Sequence, residues 1–375
     1  MHDVAVAVFV LSAAAIAYTI AGYPLLLLVL TSLKRRRQIQ RQWAPRTVTV
    51  LLAVYNGERW ISRKLDSLLG LDYPPELMHI LVLDDGSTDR TAEIVTRVDD
   101  PRVELVTQPH GGKATALNAG LLRAQGEILF FTDVRQAVDP VSLRRLVERF
   151  ADPQVGVVSG ELVIRKGDRE EEAVGLYWRY EKWIRQRLSE IDSVAGATGC
   201  IYAMRRELAV PLPPSTLVDD MYLPLSAFLR GSRVVFEPGA KAFDEPTTPA
   251  VEFRRKVRTL AGNFQILVDL PRLLSPSNRM WFHFLSHKVL RLFLPYAVIL
   301  VGVSSFALPP PYRAPVLAVQ ACFYVTALAD MLVPASWPLK RVSGVARTFV
   351  VLMSATLYAP MAVLLARRTV WSTSR

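Results

Sequence analysis

Apolar residues concentrate at the two ends of the chain and leave a charged middle. Residues 4–33 carry no charged side chain, and a helix of roughly 20 apolar residues is enough to cross the hydrocarbon core of a membrane. The basic cluster at residues 34–37 follows this run, whereas a cleaved signal peptide begins with basic residues. The pattern therefore predicts a membrane anchor, with a cleaved signal peptide as the alternative.

Three further uncharged or nearly uncharged runs lie near the C-terminus, at residues 292–312, 314–339 and 348–366. The second run contains one acid, Asp330. The positive-inside rule places the 34–37 cluster in the cytoplasm, so we expect the middle of the chain to be cytoplasmic as well. Counting spans then leaves Arg367 and Arg368 outside, against the rule. Either the last run does not cross completely, or the short tail tolerates the charge.

The middle of the chain alternates between two kinds of pattern. Short, apolar, β-branched runs predict strands at residues 47–53, 79–83, 102–107 and 128–132. Helical spacing predicts helices at residues 61–69, 91–98 and 113–124. Strands that alternate with helices predict a mostly parallel sheet covered on both faces. Ligands of such sheets bind beyond the carboxyl ends of the strands.

Composition narrows the classes of partner. The formal net charge of +11 would suit nucleic acid, but many of the basic residues flank the apolar runs. Anionic membrane lipid is therefore the partner we expect, and nucleic acid is not. Cys200 and Cys322 are the only cysteines, so the chain has neither a disulfide framework nor the spacing of a cysteine metal site.

Polar side chains follow the predicted strands. They are Tyr55, Asn56, Glu58, Asp84, Asp85 and Asp133. A Gly-Gly-Lys turn that ends in Lys113 opens the third predicted helix. A nucleotide sugar needs acceptors for its base and ribose, and cations or N–H groups for its diphosphate. Carboxylates, a glycine-rich turn at a helix N-terminus and a lysine supply both.

Four motifs follow one another along the chain, each near the end of a predicted strand: AVYNGE at 53–58, DDGSTD at 84–89, GGKATALNAG at 111–120 and FTDV at 131–134. They resemble family 2 glycosyltransferases, and GCIYAMRR at 199–206 and VDDMYLPL at 218–225 extend the resemblance over residues 48–263. The flanking apolar runs are similar to the chitin, hyaluronan and cellulose synthase-like branch. The implied fold is an α/β, Rossmann-like GT-A nucleotide-sugar domain flanked by transmembrane α-helices.

The resemblance implies three domains. Residues 1–44 would form the anchor and a basic juxtamembrane segment, residues 45–270 a cytoplasmic GT-A domain, and residues 271–375 an interfacial helix and about three membrane spans. Residues 172–191 have amphipathic spacing, which suits either a helix in the membrane interface or a core-packed helix. His283 and His287 have helical spacing, but without a further ligand we interpret them as structural.

The resemblance also implies roles at the donor site. Asp85 matches the aspartate that binds the nucleotide base, with Asp84 in support, and Tyr55, Asn56, Glu58 and Lys113 would complete the donor contacts. Asp133 matches the first aspartate of the family's Asp-x-Asp motif, whose last aspartate holds Mg²⁺ or Mn²⁺. Here the third position is Arg135, which binds phosphate but no cation. Either Arg135 replaces part of the metal's work, or it points away while Asp133 and another carboxylate hold the ion.

The acceptor side follows from the Asp219-Asp220 pair. It matches the family's Glu-Asp pair, in which the second residue is the general base, so Asp220 is the expected base. A helix N-cap is the alternative use of these acids. Arg258 lines up with the arginine of the Gln-x-x-Arg-Trp motif, and we place Asp219, Arg255 and Arg258 on the acceptor or diphosphate side. The glutamine and tryptophan are missing, so processive polymerisation is doubtful; a lipid-facing patch is the alternative for the basic run.

The sequence therefore predicts an inverting glycosyltransferase that uses a nucleotide sugar, UDP-linked by resemblance. Its acceptor would be a glycan or a lipid-linked acceptor at the plasma (inner) membrane, as in polysaccharide or cell-envelope biosynthesis. One alternative is a non-catalytic membrane protein that binds nucleotide sugars. Another is a transporter in which Asp330 marks an ion path, because acids inside membrane spans often do so.

Overall fold

A computed structural model describes residues 2–33, 40–166, 169–170, 176–334 and 337–365 of the chain. The strands are β1 (Val48–Val54), β2 (Met78–Asp84), β3 (Val103–Thr107), β4 (Ile128–Asp133), β5 (Ala137–Val138), β6 (Val155–Lys166), β7 (Arg169–Glu170), β8 (Tyr202–Arg205) and β9 (Arg233–Asp244). Every strand and helix that the sequence predicts in the first part of the α/β domain is present, with ends that differ by at most two residues.

The helices fall into two groups. Those of the α/β domain are α3 (Ile61–Leu69), α4 (Thr91–Thr96), α5 (Lys113–Arg123), α6 (Ser142–Glu148), α7 (Leu176–Ile191), α8 (Asp219–Leu229) and α9 (Pro249–Asp269). Those of the two ends are α1 (His2–Ala17), α2 (Tyr23–Leu33), α10 (Trp281–Phe284), α11 (Leu290–Ser305), α12 (Pro310–Ala329) and α13 (Leu339–Leu365).

The first half of the sheet is parallel, as the alternation of strands and helices predicts. The strand order is β3-β2-β1-β4-β8-β6-β9-β5, and β1, β2, β3 and β4 run in one direction. All seven residues of β1 are buried, which explains why its sequence is apolar without alternation. Because Asp84 pairs with Val54 and Asp133 with Ala53, the polar residues after these strands meet at one edge.

The second half of the sheet is mixed. β8 is antiparallel to both β4 and β6, and β6 runs parallel to β9. The β6–β9 pair joins segments that lie about 70 residues apart in the chain, with α7, β8 and α8 between them. This pair carries Asp244 to the edge where Asp133 ends β4.

Four helical segments of the described chain are long and apolar enough to cross a membrane: His2–Leu33, Trp281–Ser305, Pro310–Ala329 and Leu339–Ala362. The first is continuous through a π-helical turn at Tyr18–Gly22. The second begins 11 residues before the predicted run at residue 292, because it includes Arg291, whose charge is paired with Glu181 of the α/β domain. The basic cluster at 34–37 and the Arg367-Arg368 pair lie outside the described residues.

Asp330 lies at the end of α12, between two helices rather than within a span. Its carboxylate pairs with Lys340 at 3.0 Å and with Arg347 at 3.2 Å, and it accepts a hydrogen bond from the Ser343 hydroxyl at 2.7 Å. The acid is therefore neutralised by the start of α13. Asp330 therefore connects the end of α12 to the start of α13 through ion pairs and a hydrogen bond. The transporter hypothesis loses its main support, because it required an acid within a membrane span.

The α7 helix joins the α/β domain to the N-terminal anchor. Of the predicted segment 172–191, the structure has residues 176–191 as helix, and residues 171–175 lie outside the described part. Ile184 and Leu188 are buried in the same apolar cluster as Tyr23 and Leu27 of α2. The core-packed alternative therefore describes this face of α7, and the anchor contributes to the core of the domain.

Candidate functional site

The residues singled out in the sequence gather at the carboxyl edge of the parallel strands. The loops after β1, β2 and β4 meet there with the N-termini of α5 and α8 and with one face of α9. Parallel strands place their carboxyl ends at one edge, so this position follows directly from the sheet topology. The edge has one half around Asp85 and a second, acidic half around Asp220.

Asp85 is buried and organises the Gly-Gly-Lys turn. Its two carboxylate oxygens accept the backbone N–H groups of Gly111 and Gly112, each at 2.9 Å. Nδ1 of His110 lies 2.8 Å from the second oxygen. Gly86 has a φ of 72°, and a Cβ there would lie 2.7 Å from the His110 nitrogen. The close approach of the two loops therefore requires glycine at position 86.

Two residues that the sequence analysis missed lie beside Asp85. His110 stacks on Tyr55 with ring centroids 4.3 Å apart, and Gln108 Nε2 donates to Asp85 at 3.3 Å. Both lie just before the Gly-Gly-Lys turn in the sequence. That position, next to a turn expected at the site, was the signal that could have indicated them. A stacked pair of rings at a partly exposed edge suits contact with a planar base.

Asn56, Glu58 and Asp84 shape the loops of this half. Their side-chain oxygens accept the backbone N–H groups of the loop after β2, those of Thr88, Arg90 and Ser87, at 2.8, 3.0 and 3.1 Å respectively. Asn56 has a φ of 51°, a conformation that asparagine tolerates better than most residues. Direct contact between these three residues and a nucleotide sugar stays a prediction, because the side-chain oxygens named above already accept hydrogen bonds from the loop.

Lys113 connects the two halves of the site. Its Nζ lies 2.9 Å from Asp133 Oδ1 and 3.0 Å from Asp219 Oδ1. Burial opposes the charge of Lys113, but the two carboxylates raise its pKa above the usual range. Burial likewise opposes the charge of Asp133, but Lys113 keeps its pKa below the usual value. Lys113 and Asp133 are therefore both ionised near neutral pH.

Asp220 is the acid whose ionisation is disfavoured. Burial and then the neighbouring charge of Asp219 raise its pKa to about 6, although Lys113 and Arg258 act in the opposite direction. α8 begins at Asp219 with Val218 as its N-cap, so the N-cap alternative for the two acids is wrong. A half-buried carboxylate with a pKa just below neutral is suited to accept a proton.

Arg135 is engaged by a residue that the sequence analysis did not single out. It forms an ion pair with the buried Asp244 at the end of β9. Gln136 Nε2 donates to the same Asp244 oxygen at 2.8 Å, and Arg255 lies 3.9 Å from it. The Arg135 Nε is buried without a hydrogen-bond partner in the described chain. Contact between Arg135 and a diphosphate stays a prediction.

The arrangement of Lys113 and Arg135 bears on a divalent cation. Lys113 Nζ stands between Asp133 and Asp219, and Arg135 takes up the Asp244 carboxylate. Over the described ranges, no three His, Cys, Asp or Glu side chains are grouped so as to hold a metal ion. As placed, these residues do not fit Mg²⁺ or Mn²⁺, because Lys113 would first have to leave. Metal ligation by Asp133 stays a prediction.

The α9 helix brings two arginines to the acidic half. Arg258 acts electrostatically on both Asp133 and Asp220, and its Nε is buried with no hydrogen-bond partner among the described residues. Arg255, on the same face of α9, approaches Asp244. An orphaned guanidinium nitrogen directed toward a polar site is suited to a phosphate ligand.

Lys64 supports the site from beneath and was missed in the sequence. Its Nζ donates to the Thr132 hydroxyl at 2.6 Å and to the Gln136 carbonyl at 2.7 Å. Burial lowers the pKa of Lys64 to about 7. These bonds hold the turn that carries Asp133 and Arg135. The signal was a lysine among the apolar positions of α3, where Ile61, Leu65 and Leu68 are also buried.

Comparison with known proteins supports the resemblance. Residues 49–210 match the model of the family described as Glycosyl transferase family 2. The poly-β-1,6-N-acetyl-D-glucosamine synthase of Staphylococcus aureus (strain COL) is 26% identical over 233 residues, which cover 59% of this chain and 55% of the synthase. The chain thus spans about half the length of the curated relatives it matches.

Among solved structures, similarity extends over nearly the whole chain. The mannosyltransferase from Pyrobaculum calidifontis in complex with GDP-Man and Mn²⁺ superposes with a TM-score of 0.75 at 24% identity. The match covers 95% of this chain and 99% of that one. The two proteins therefore share a fold that includes the apolar helices at both ends.

Proposed function

We propose that the chain, whose residues 49–210 match Glycosyl transferase family 2 within the GT-A fold expected from the sequence, transfers a sugar from a nucleotide-sugar donor to an acceptor at a membrane. The observation that carries the proposal is the position of the half-buried Asp220, whose pKa is raised to about 6. It lies beside the Asp133–Lys113–Asp219 group, at the edge where α/β sheets bind ligands. Such a carboxylate is suited to activate an acceptor hydroxyl.

The donor would lie across the two halves of the edge. Its base would meet Asp85 and the Tyr55–His110 ring pair, and its diphosphate would meet Lys113, Arg258 and the N-terminus of α5. Free N–H groups and the helix dipole at such a terminus favour phosphate. By resemblance the nucleotide is UDP, although the Pyrobaculum mannosyltransferase is in complex with GDP-Man; both donors therefore belong in the test.

The reaction would be an inverting displacement. The acceptor hydroxyl attacks the anomeric carbon, its proton passes to an Asp220 carboxylate oxygen, and the bond from that carbon to the nucleoside diphosphate breaks. The bonding electrons leave with the diphosphate, and Lys113 and Arg258 stabilise the negative charge that develops on it. A carboxylate base contributes a factor of about 10² to 10⁴ to such a rate.

We propose a single or short-range transfer rather than processive polymerisation. The residue after Arg258 is Thr259, so the site lacks the tryptophan face on which an acceptor sugar would stack in the synthase branch. The named activity of the Staphylococcus relative is that of a polymer synthase, but the present chain covers only part of that protein. Product length is therefore a measured outcome of the test below.

The proposed location is the plasma (inner) membrane, with the catalytic domain in the cytoplasm. Four candidate spans flank the domain, and the basic residues at 34–37 would face the cytoplasm by the positive-inside rule. Nucleotide sugars would then reach the site from the cytoplasm, and membrane-bound acceptors from the bilayer.

The test is a product analysis with matched variants. Purified full-length protein in nanodiscs of bacterial phospholipid is supplied with UDP-N-acetylglucosamine, UDP-glucose and GDP-mannose. Nucleoside diphosphate release and the mass spectrum of lipid products are measured. Asp220→Asn should abolish transfer and keep donor binding, whereas Asp66→Asn, the same change on the exposed face of α3, should leave both intact.

Two outcomes would refute the proposal. Donor binding without nucleotide release from any donor in any lipid extract would favour the non-catalytic binding protein. Equal turnover by the wild-type chain and Asp220→Asn would remove Asp220 from the mechanism.

A further inference from the structure

A second polar cluster lies where α7 meets the start of the 281–305 membrane segment. Its members are Glu181, Arg185, His287, Lys288 and Arg291, and we call it the junction cluster. Arg291 forms an ion pair with one Glu181 oxygen, and His287 Nε2 lies 3.7 Å from the other. His287 is buried and the other four members are half-buried, and three of the members belong to a helical segment that is otherwise apolar.

The junction cluster leads to the proposed base. Arg185 lies one turn after Glu181 on α7 and donates to the Thr198 hydroxyl at 2.8 Å and the Ser159 hydroxyl at 2.7 Å. Thr198 precedes Gly199, which lies against the Asp220 carboxylate. The charges of Arg185 and Lys288 both act on Asp220. The junction cluster therefore adjoins the catalytic edge through Arg185 and Thr198.

The charges of the junction cluster do not balance. Glu181 is its only acid; burial opposes the charge of Glu181, but Arg291 and then His287 lower its pKa to about 2. That carboxylate faces Arg185, Lys288 and Arg291. The charge of Glu161 also acts on Arg185, whereas Lys288 has no hydrogen-bond or ion-pair partner within the described part of the chain. Asp220 is near, but Lys113 and Arg258 act on it as well. Half-buried cations that outnumber the nearby carboxylates favour an anion, so an anionic ligand would complement them.

A purely structural role explains only part of the cluster. The Glu181–Arg291 pair ties α7 to the membrane helix and needs no ligand. It leaves Lys288 and the excess positive charge unexplained, since one cation would suffice to neutralise Glu181.

We propose that the junction cluster binds the phosphate of a membrane-anchored acceptor and thereby presents that acceptor to Asp220. This inference rests on the proposed glycosyl transfer and names the class of acceptor. Apolar side chains of the same helical segment, Phe282, Leu290 and Phe293, are exposed and would face lipid tails. A phosphate at the depth of Lys288 would therefore belong to a lipid, with its chain beside those residues.

The experiment measures ligand binding without turnover. Full-length protein in detergent micelles is titrated with a long-chain isoprenyl phosphate, with the isoprenol of equal length, and with inorganic phosphate. Binding is followed by native mass spectrometry and tryptophan fluorescence. The variants are Lys288→Gln and Lys288→Arg, with Lys256→Gln as a control, because Lys256 pairs with Glu252 outside the junction cluster.

We expect the isoprenyl phosphate to bind more tightly than the isoprenol. Lys288→Gln should weaken phosphate-lipid binding roughly 10- to 100-fold, as expected for one charge-assisted contact, whereas Lys288→Arg and Lys256→Gln should keep it. Donor binding, measured with UDP, should be unchanged in all variants, which shows that they fold.

The proposal fails if the wild-type chain binds the isoprenol and its phosphate equally, or if Lys288→Gln binds as tightly as wild type. Competition by inorganic phosphate at the same concentration as the lipid would overturn the membrane-anchored source. These outcomes are distinct from failure of the proposed function, which would appear as absent nucleotide release with every donor while phosphate-lipid binding persists.

Discussion

Gly199 lies directly against the carboxylate of Asp220: a Cβ at position 199 would be 2.9 Å from Oδ2 and 3.3 Å from Cγ. That separation is closer than van der Waals contact allows. The motif at 199–206 therefore places backbone without a side chain directly against the proposed base, and only glycine at position 199 lets the Asp220 carboxylate keep this position.

Gly199→Ala should abolish or strongly reduce transfer while keeping donor affinity. The added methyl group would push the Asp220 side chain or close the approach to it, and even small misplacement of a base costs about 10²-fold in rate. Steady-state kinetics and UDP binding check this. Gly302→Ala is the matched control, since the nearest atom to its Cβ is 3.9 Å away; similar kinetics in the two variants would contradict the prediction.

The pH dependence of transfer should report the Asp220 carboxyl group. Its pKa is raised to about 6, and only the ionised form accepts a proton. The kcat/KM value should therefore fall about tenfold per pH unit below that value and level off above it. Asp219→Asn removes the nearest negative charge, so the inflection should move to lower pH. An inflection that stays in place would exclude Asp219 as its cause.

The requirement for a divalent cation should depend on Lys113 and Arg135. Because Lys113 Nζ already lies between Asp133 and Asp219, we expect transfer to continue in excess EDTA. Arg135→Asp removes a cation, releases Asp244 and restores the family motif, so it should bind Mn²⁺ at least about tenfold more tightly than wild type. Electron paramagnetic resonance of Mn²⁺ measures this directly.

The opposite result would be equally informative. Loss of transfer in EDTA that Mn²⁺ restores would mean that Lys113 moves aside when the donor binds, so that Asp133 and a second carboxylate hold the ion. Arg135→Ala with wild-type Mn²⁺ affinity would then separate charge removal from the gain of a ligand.

Lys64 should make stability depend on alkaline pH. Burial lowers its pKa from 10.5 to about 7, so between these values the unfolded chain holds a proton that the folded chain has lost. Stability should therefore fall as the pH drops from about 10 to 7. Lys64→Met should flatten this part of the curve of melting temperature against pH. A parallel curve for Lys64→Met, with Lys256→Met as a control, would contradict the buried-lysine explanation.

Sequence patterns predicted the parallel half of the sheet because each strand there is short, apolar and bounded by polar turns. The same patterns could not supply Asp244 as the partner of Arg135, since the β6–β9 pairing depends on contacts between distant segments. His110 and Lys64 were missed because their roles come from ring stacking and burial. The predicted start of the second candidate span, residue 292, was too late because the uncharged run begins only after Arg291. The charge of Arg291 is paired with Glu181 of α7, so the helix extends further toward the N-terminus.

The packing of α2 against α7 joins the first candidate membrane span directly to the catalytic domain. Tyr23 donates or accepts a hydrogen bond with His283 at 3.0 Å, and with Leu27 it is buried in the core of the α/β domain. The first candidate span is thus packed into the catalytic domain rather than joined to it by a flexible linker. With that span in the proposed membrane, the edge that holds Asp220 would be held at a fixed height above the bilayer. Turnover should then follow the surface density of acceptor in the membrane plane, so that diluting the bilayer with inert lipid slows the enzyme even when the bulk concentration of acceptor is constant.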